Sequence, residues 1–367
     1  MTQLQPKHGI LSISPYVGGK SKSQDGKPVI KLSSNENPYG ASPKAMEAFT
    51  ACAHNLHRYP DGAHTALREA IAAAESLPAD QIICGAGSDE LIGLLTLAYA
   101  GAGDEVLFSA HGFLMYRIYA LAHGATPVTA PEKALTSDVD ALLAAVTPRT
   151  RIVFLANPNN PTGTLAPYSE IERLRRKLPE HVLLVLDAAY SEYLDSPEED
   201  GRALVAHSNT VVLHTFSKIY GLGALRLGWG YAPPHVVDVI HRIRGPFNVN
   251  SAALAAGVAA ITDRDYTEKM RTLNRAQRAR VTDAITQRGW RVVPSAANFV
   301  LVEFPDVAGG RAADANQFLL SHGIIPREVG NYGLPNYLRI TIGTEAENTA
   351  LIDALTRFGD LTRSASN

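Results

Sequence analysis

"VLLVLDAAY", residues 182–190, sets five apolar residues in a row before Asp187, two alanines and Tyr190. A strand with one face in water would alternate apolar and polar residues, so an unbroken apolar run of this length predicts a strand buried on both faces. The same pattern recurs on either side, in "EVLFS" (105–109), "RIVFLANP" (151–158) and "TVVLHTFSK" (210–218). Between these runs lie helical patterns, "MYRIYALAHG" (115–124) and "SEIERLRRKL" (169–178). Short buried strands alternating with helices predict an α/β fold, a mainly parallel sheet covered on both faces.

The pattern changes after about residue 262. A long polar-faced helix, "YTEKMRTLNRAQRARVTDAITQRG" (266–289), leads into "RVVPSAANFVLVEF" (291–304), the helix "AADANQFLLSHG" (312–323), strands in "GIIPRE" and "YLRITIG", and a last helix in "AENTALIDALTRFG" (346–359). We expect a large domain over 36–262 and a smaller α+β domain over 263–367. Residues 1–35 include "SPYVGGKSKSQDGKP" (14–28), whose Ser, Gly, Lys and Pro content reads as an extended arm that rejoins the small domain.

Composition narrows the function. The 367 residues are 46% hydrophobic and 19% charged, enough to bury a sizeable core, and 34 basic against 36 acidic residues leave no basic stripe for nucleic acid. The N-terminus lacks a signal-peptide run and no long apolar span suits a membrane. The two cysteines, Cys52 and Cys84, form neither a disulfide framework nor a zinc pattern, and we expect a cytoplasmic protein. His54, His57 and His64 have mixed spacing and no adjacent acid pair, so no metal is expected.

Three apolar strands end in polar residues: Asn157 and Asn160 after the first, Asp187 and Tyr190 after the second, Ser217 and Lys218 after the third. Ligands of open parallel sheets bind beyond the carboxyl ends of strands, so these groups are expected in one crevice. A lysine at a buried strand end can lose its proton and act as a nucleophile. Pyridoxal 5'-phosphate demands this set: a lysine for the Schiff base, an acid for the ring nitrogen, donors to the ring hydroxyl and an anion cradle. "GAGSDELIGLL" (85–95) opens a helix at Ser88 after a glycine turn, leaving free N–H groups for a phosphate, with Thr215, Ser217 and Arg226 to complete the cradle.

These residues resemble the fold-type I pyridoxal-phosphate aminotransferases, and within them the histidinol-phosphate aminotransferases. "SPYVGGKS", "LSSNENPYG", "RYPDG", "GAGSDEL", "NPNNPTG", "LDAAYSEY", "TFSKIYGLGALRLGWG" and "YLRITIGTEAEN" are similar to that family's motifs, in the family's order. The resemblance implies a mainly parallel seven-stranded sheet in a large cofactor-binding domain beside a smaller α+β domain. It implies that Lys218, Asp187 and Tyr190 carry the chemistry: Lys218 joined to the cofactor, Asp187 on the pyridine nitrogen, Tyr190 and Asn160 on the ring hydroxyl. Phe113 would stack on the ring. The phosphate would meet Ser88 and Asp89, Thr215 or Ser217, Arg226, and Tyr59 from a second subunit of a homodimer whose site lies at the subunit interface. Arg339 would bind the substrate's anionic end, with Arg327, Tyr16 and Asn37 nearby.

The implied reaction moves an amino group from L-histidinol phosphate to 2-oxoglutarate in histidine biosynthesis, both partners being small molecules. Aromatic amino acid transamination and decarboxylation of phosphorylated amino acids share the motifs and stay open. Two departures stand out. Phe113 occupies a position where the family often has tyrosine, and "PYVGGK" has Gly18 where a proline is usual.

Overall fold

The structure is a computed structural model that describes residues 4–20, 28–207 and 209–366, so residues 21–27 of the expected arm lie outside the described residues. Its centre is a seven-stranded sheet in the spatial order Ile82–Gly85, Gly228–Tyr231, Thr210–Thr215, Leu183–Asp187, Thr150–Ala156, Glu105–Ser109, Thr126–Ala130. From Thr210–Thr215 to Thr126–Ala130 every pairing is parallel. The expected α/β fold with a mainly parallel seven-stranded sheet is what the chain adopts.

Side chains of a strand alternate between its faces, and here both faces are core. Leu184, Leu186, Val153, Leu155 and Val212 pack on one side with Leu67 and Ile71 of helix Thr65–Glu75. Val185, Phe154, Val211 and Leu213 pack on the other with Leu91 and Leu95 of helix Ser88–Tyr99. That two-sided burial is why the strands read as unbroken apolar runs.

Gly228–Tyr231 breaks the rule by pairing antiparallel with both neighbours. The chain leaves Thr215 and returns through residues 216–227 with no α-helix to carry the crossover that a parallel strand usually needs. Gly228 is required there, because a Cβ would stand 2.2 Å from the backbone N of Ser88. The strand thereby presses against the start of helix Ser88–Tyr99.

The last third builds an antiparallel four-stranded sheet in the order Arg291–Val293, Phe299–Glu303, Tyr337–Thr341, Arg327–Glu328. Helices Arg264–Gln287, Ala312–Ser321 and Glu345–Ser366 bury Val281, Ile285, Leu319, Leu351 and Leu355 with Val300, Val302, Leu338 and Ile340 of that sheet. "GIIPRE" divides at Pro326, which has no N–H to give a ladder. Ile324–Ile325 pairs in parallel with Ile30–Lys31, while Arg327–Glu328 joins the antiparallel sheet. Leu32 extends the first pairing, donating to Ile325 O at 2.9 Å and accepting from Thr341 N at 2.9 Å. Among the described residues no helix is long and apolar enough to cross a membrane.

Candidate active site

Beyond the carboxyl ends of Leu183–Asp187 and Thr210–Thr215 opens a cavity of about 380 Å³. Of the residues singled out in the sequence, Tyr16, Ser88, Asp89, Phe113, Asn160, Asp187, Tyr190, Thr215, Ser217, Lys218, Arg226, Arg327 and Arg339 line it. Residues from eight stretches of chain thus meet in one cavity.

Asp187 ends its strand as a buried carboxyl group. Its Oδ2 accepts from the Tyr116 hydroxyl at 2.8 Å and its Oδ1 from Ala189 N at 3.3 Å. Burial raises its pKa, and those two donors oppose the rise. Three residues on, Tyr190 is buried with its ring edge-on to Phe299 (5.3 Å, 80°), and its hydroxyl accepts from Asn35 Nδ2 at 2.8 Å. Desolvation pushes that hydroxyl up to about 12.

Lys218 follows the turn after Thr215. Its Nζ lies 3.5 Å from Ser34 O and 5.7 Å from the centre of the Tyr190 ring. Burial, with Arg339 as the next cause, pulls its pKa down to about 8. A neutral amine is therefore accessible near neutral pH, as a nucleophilic lysine requires.

At the other end of the cavity, helix Ser88–Tyr99 begins after Gly87 with no side chain capping it. Gly87 has φ 85°, and a Cβ on it would stand 2.6 Å from Arg226 Nη2. Arg226 Nη1 donates to Gly223 O at 3.0 Å and Ser217 Oγ at 3.3 Å, and Thr215 Oγ1 accepts from Ser217 N at 3.1 Å. Uncapped N–H groups, a guanidinium and two hydroxyls make an anion cradle. The neighbouring acids turn aside: Asp89 Oδ2 accepts from Tyr119 at 3.0 Å, and Glu90 Oε2 from Ala86 N at 2.6 Å and Asn248 at 2.7 Å.

On the small-sheet side, Arg339 is buried, donates to Ser33 O at 2.8 Å and to Asn160 Oδ1, and lies 5.3 Å over the Phe299 ring. Its Nε has no hydrogen-bond partner among the described residues. Arg327 reaches Val17 O at 2.7 Å, and Tyr16, 49% exposed, lines the same mouth.

Three expected residues, Asn37, Tyr59 and Asn157, stand apart from the cavity. Asn37 lies outside the cavity, its Nδ2 donating to Ile219 O at 2.7 Å, and Asn35 lines the wall instead. Tyr59 is 82% exposed and stacks on Phe247 at 4.7 Å, away from this chain's cavity. Asn157 brackets Ala166 through both amide atoms. Sequence reasoning missed Tyr116, although its place three residues after Phe113, in a helical pattern, sets the two on one face.

The family described as "Aminotransferase class I and II" matches residues 27–355. The chain belongs to the class I and II aminotransferases. It is 54% identical over 360 residues to a histidinol-phosphate aminotransferase of Paramagnetospirillum magneticum, covering 98% of this chain and 99% of that one. A histidinol-phosphate aminotransferase of Rhodopseudomonas palustris is 52% identical over 361 residues, again 98% and 99% of the two chains. In structure, the chain is similar to the histidinol-phosphate aminotransferase of Sinorhizobium meliloti, crystallised in complex with pyridoxal-5'-phosphate. The TM-score is 0.87 at 29% identity, over 92% of this chain and 93% of that one.

Proposed function

We propose that this aminotransferase uses pyridoxal 5'-phosphate to move the amino group between L-histidinol phosphate and 2-oxoglutarate, giving imidazole-acetol phosphate and glutamate. The observation that carries the reading is end-to-end likeness, at 54% identity, to a relative of that name. The cavity supports it, with a half-buried lysine in its wall, an anion cradle at one end and two arginines at the other.

The residues present fit the cofactor. A Cβ on Gly87 would block Arg226, so the cradle depends on bare backbone beside a guanidinium, as a phosphate site does. Bound pyridoxal phosphate supplies an electron sink for the charge left when a Cα–H bond breaks. Lys218 would hold the cofactor through Nζ and, once displaced by the substrate amine, would be the base and acid that takes and returns the Cα proton. Asp187 holds the ring-nitrogen proton. Tyr190 and Asn160 orient the ring hydroxyl, Phe113 covers one ring face, and Ser88, Asp89, Thr215, Ser217 and Arg226 hold the phosphate. Arg339, with Arg327 and Tyr16, receives the substrate's anionic end. Histidinol phosphate carries a phosphate and glutamate a second carboxylate, so one arginine pair serves both half-reactions.

We assign the same protein to the cytoplasm, in keeping with its two free cysteines, and to a homodimer in which the exposed Tyr59 serves the other subunit's phosphate. Absorbance of the cofactor-loaded protein tests the substrate. Mixing with histidinol phosphate is expected to bleach the cofactor band, and 2-oxoglutarate to restore it. Bleaching by phenylalanine or tyrosine but not by histidinol phosphate would overturn the substrate assignment, and carbon dioxide release without an acceptor would make the protein a decarboxylase. Sedimentation as a monomer would remove the dimer.

A further inference from the structure

We infer that Tyr116 is a positioning residue for amino transfer: its hydroxyl fixes the Asp187 carboxylate, its ring edge backs Phe113, and the bond to Asp187 leaves the proton on the cofactor's ring nitrogen. The inference rests on the proposed function, since it concerns how Asp187 meets that ring.

Tyr116 belongs to helix Leu114–Ala122 and is fully buried. Its ring lies flat on Phe154, 4.6 Å away at 2°, and Phe154 stands on the strand beside that of Asp187. Edge contacts to Phe113 (5.8 Å, 86°) and Phe108 (5.9 Å, 61°) close the other sides. An aromatic ring gripped on three sides has one orientation, and in it the hydroxyl donates to Asp187 Oδ2 at 2.8 Å.

Packing alone does not call for the hydroxyl. Phe108, Phe113 and Phe154 fill the rest of this aromatic cluster without one, and a buried hydroxyl is unfavourable unless hydrogen-bonded. Its partner is the acid expected on the ring nitrogen. A buried carboxylate becomes a stronger base as donors are removed, because burial disfavours its charge. Without Tyr116 the longer Ala189 N–H contact, at 3.3 Å, is the hydrogen bond left to oppose that effect, beside the more distant charges of His214 and Lys218. The stronger base draws the proton from the ring nitrogen to Oδ2, and a ring without that proton accepts electrons poorly. With the Tyr116 bond in place the proton stays on nitrogen and the carboxylate keeps its charge.

The test is Tyr116→Phe in the cofactor-loaded enzyme, which keeps the ring, its stack on Phe154 and its edge on Phe113. Solid-state nitrogen-15 spectra with ring-labelled pyridoxal phosphate are expected to show the nitrogen resonance displaced toward the unprotonated position. The loss of one charge-assisted bond is expected to lower kcat about tenfold to a hundredfold, while KM for the amino donor changes by less than about threefold. An unmoved resonance with kcat within about twofold of the parent would overturn the inference and leave Tyr116 as packing. A second, nearly isosteric variant guards against misfolding. With 3-fluorotyrosine at position 116, the fluorine resonance is expected to shift when the apoprotein takes up cofactor; a resonance indifferent to cofactor would also overturn it. Failure of the parent protein to bind the cofactor at all would be a separate result, sinking the proposed function itself.

Discussion

Arg327 and Arg339 stand directly opposite each other on neighbouring antiparallel strands, so both side chains leave one face of the sheet and enter one cavity. Like charges set this way repel, and burial already lowers the pKa of Arg339. An anion between them relieves the repulsion and supplies the partner that Arg339 Nε lacks.

Arg339→Ala is therefore expected to raise KM for histidinol phosphate and for 2-oxoglutarate together, by about 30-fold or more each, the cost of unpairing a buried charge. Steady-state kinetics with each substrate varied in turn checks this. A rise for one substrate alone would mean that the two anions use different residues.

Lys218→Ala is expected to lower turnover by at least about a thousandfold, since it removes both a nucleophile and a proton carrier. Mass spectrometry after borohydride reduction gives an independent reading. The parent chain should gain the mass of the reduced cofactor and the variant should not.

Gly87→Ala is expected to weaken cofactor binding and to destabilise the fold by about 1–3 kcal/mol. The added methyl meets Arg226 at 2.6 Å on a backbone held at φ 85°. Cofactor titration followed by fluorescence and a thermal melt of the apoprotein separate the two effects. Normal affinity in the variant would mean that the cradle lies elsewhere.

His214 gives stability a pH dependence. Its ring is buried against Trp229 at 4.2 Å, with Nδ1 3.2 Å from Glu192 Oε1 and Nε2 3.1 Å from Asp200 Oδ2. Burial alone would lower its pKa, but the bonds and charges of Asp200 and Glu192 outweigh it and carry the ring up to about 9. The folded value exceeds the unfolded one of about 6.5. Its stabilisation is thus complete below about pH 6.5 and is lost as pH rises to about 9. Lys218, depressed to about 8, acts with the opposite sign between about pH 8 and 10.5. Denaturant unfolding of the parent and His214→Gln isolates the histidine. The gap between them is expected to shrink as pH rises from 6.5 to 9, and a constant gap would remove the charge from the argument.

Lys218, Asp187 and Tyr190 are legible because each stands within five residues of the end of an apolar run that reads as a buried strand. The mainly parallel order followed from the same runs. Gly228–Tyr231 escaped notice because two of its four residues are glycines, which carry no hydrophobic signal. Asn35 and Asn37 cannot be told apart locally. Which of them faces the cavity depends on Leu32 pairing with Ile325 and Thr341, about three hundred residues away. For Tyr116, nothing near it in the chain announces that its hydroxyl meets Asp187, 71 residues away.

The pairing of Ile30–Lys31 with Ile324–Ile325 also sets a timetable. Ser33 O accepts from Arg339, Ser34 O from Lys218, and Asn35 donates to Tyr190, so the segment that follows Ile30–Lys31 forms a wall of the cavity. On the ribosome that segment waits for Ile324–Ile325 and Arg339 through some three hundred further residues, at about 5–20 residues per second. All strands of the central sheet have been made once Gly228–Tyr231 is complete, but the catalytic chamber closes only after Tyr337–Thr341 has followed.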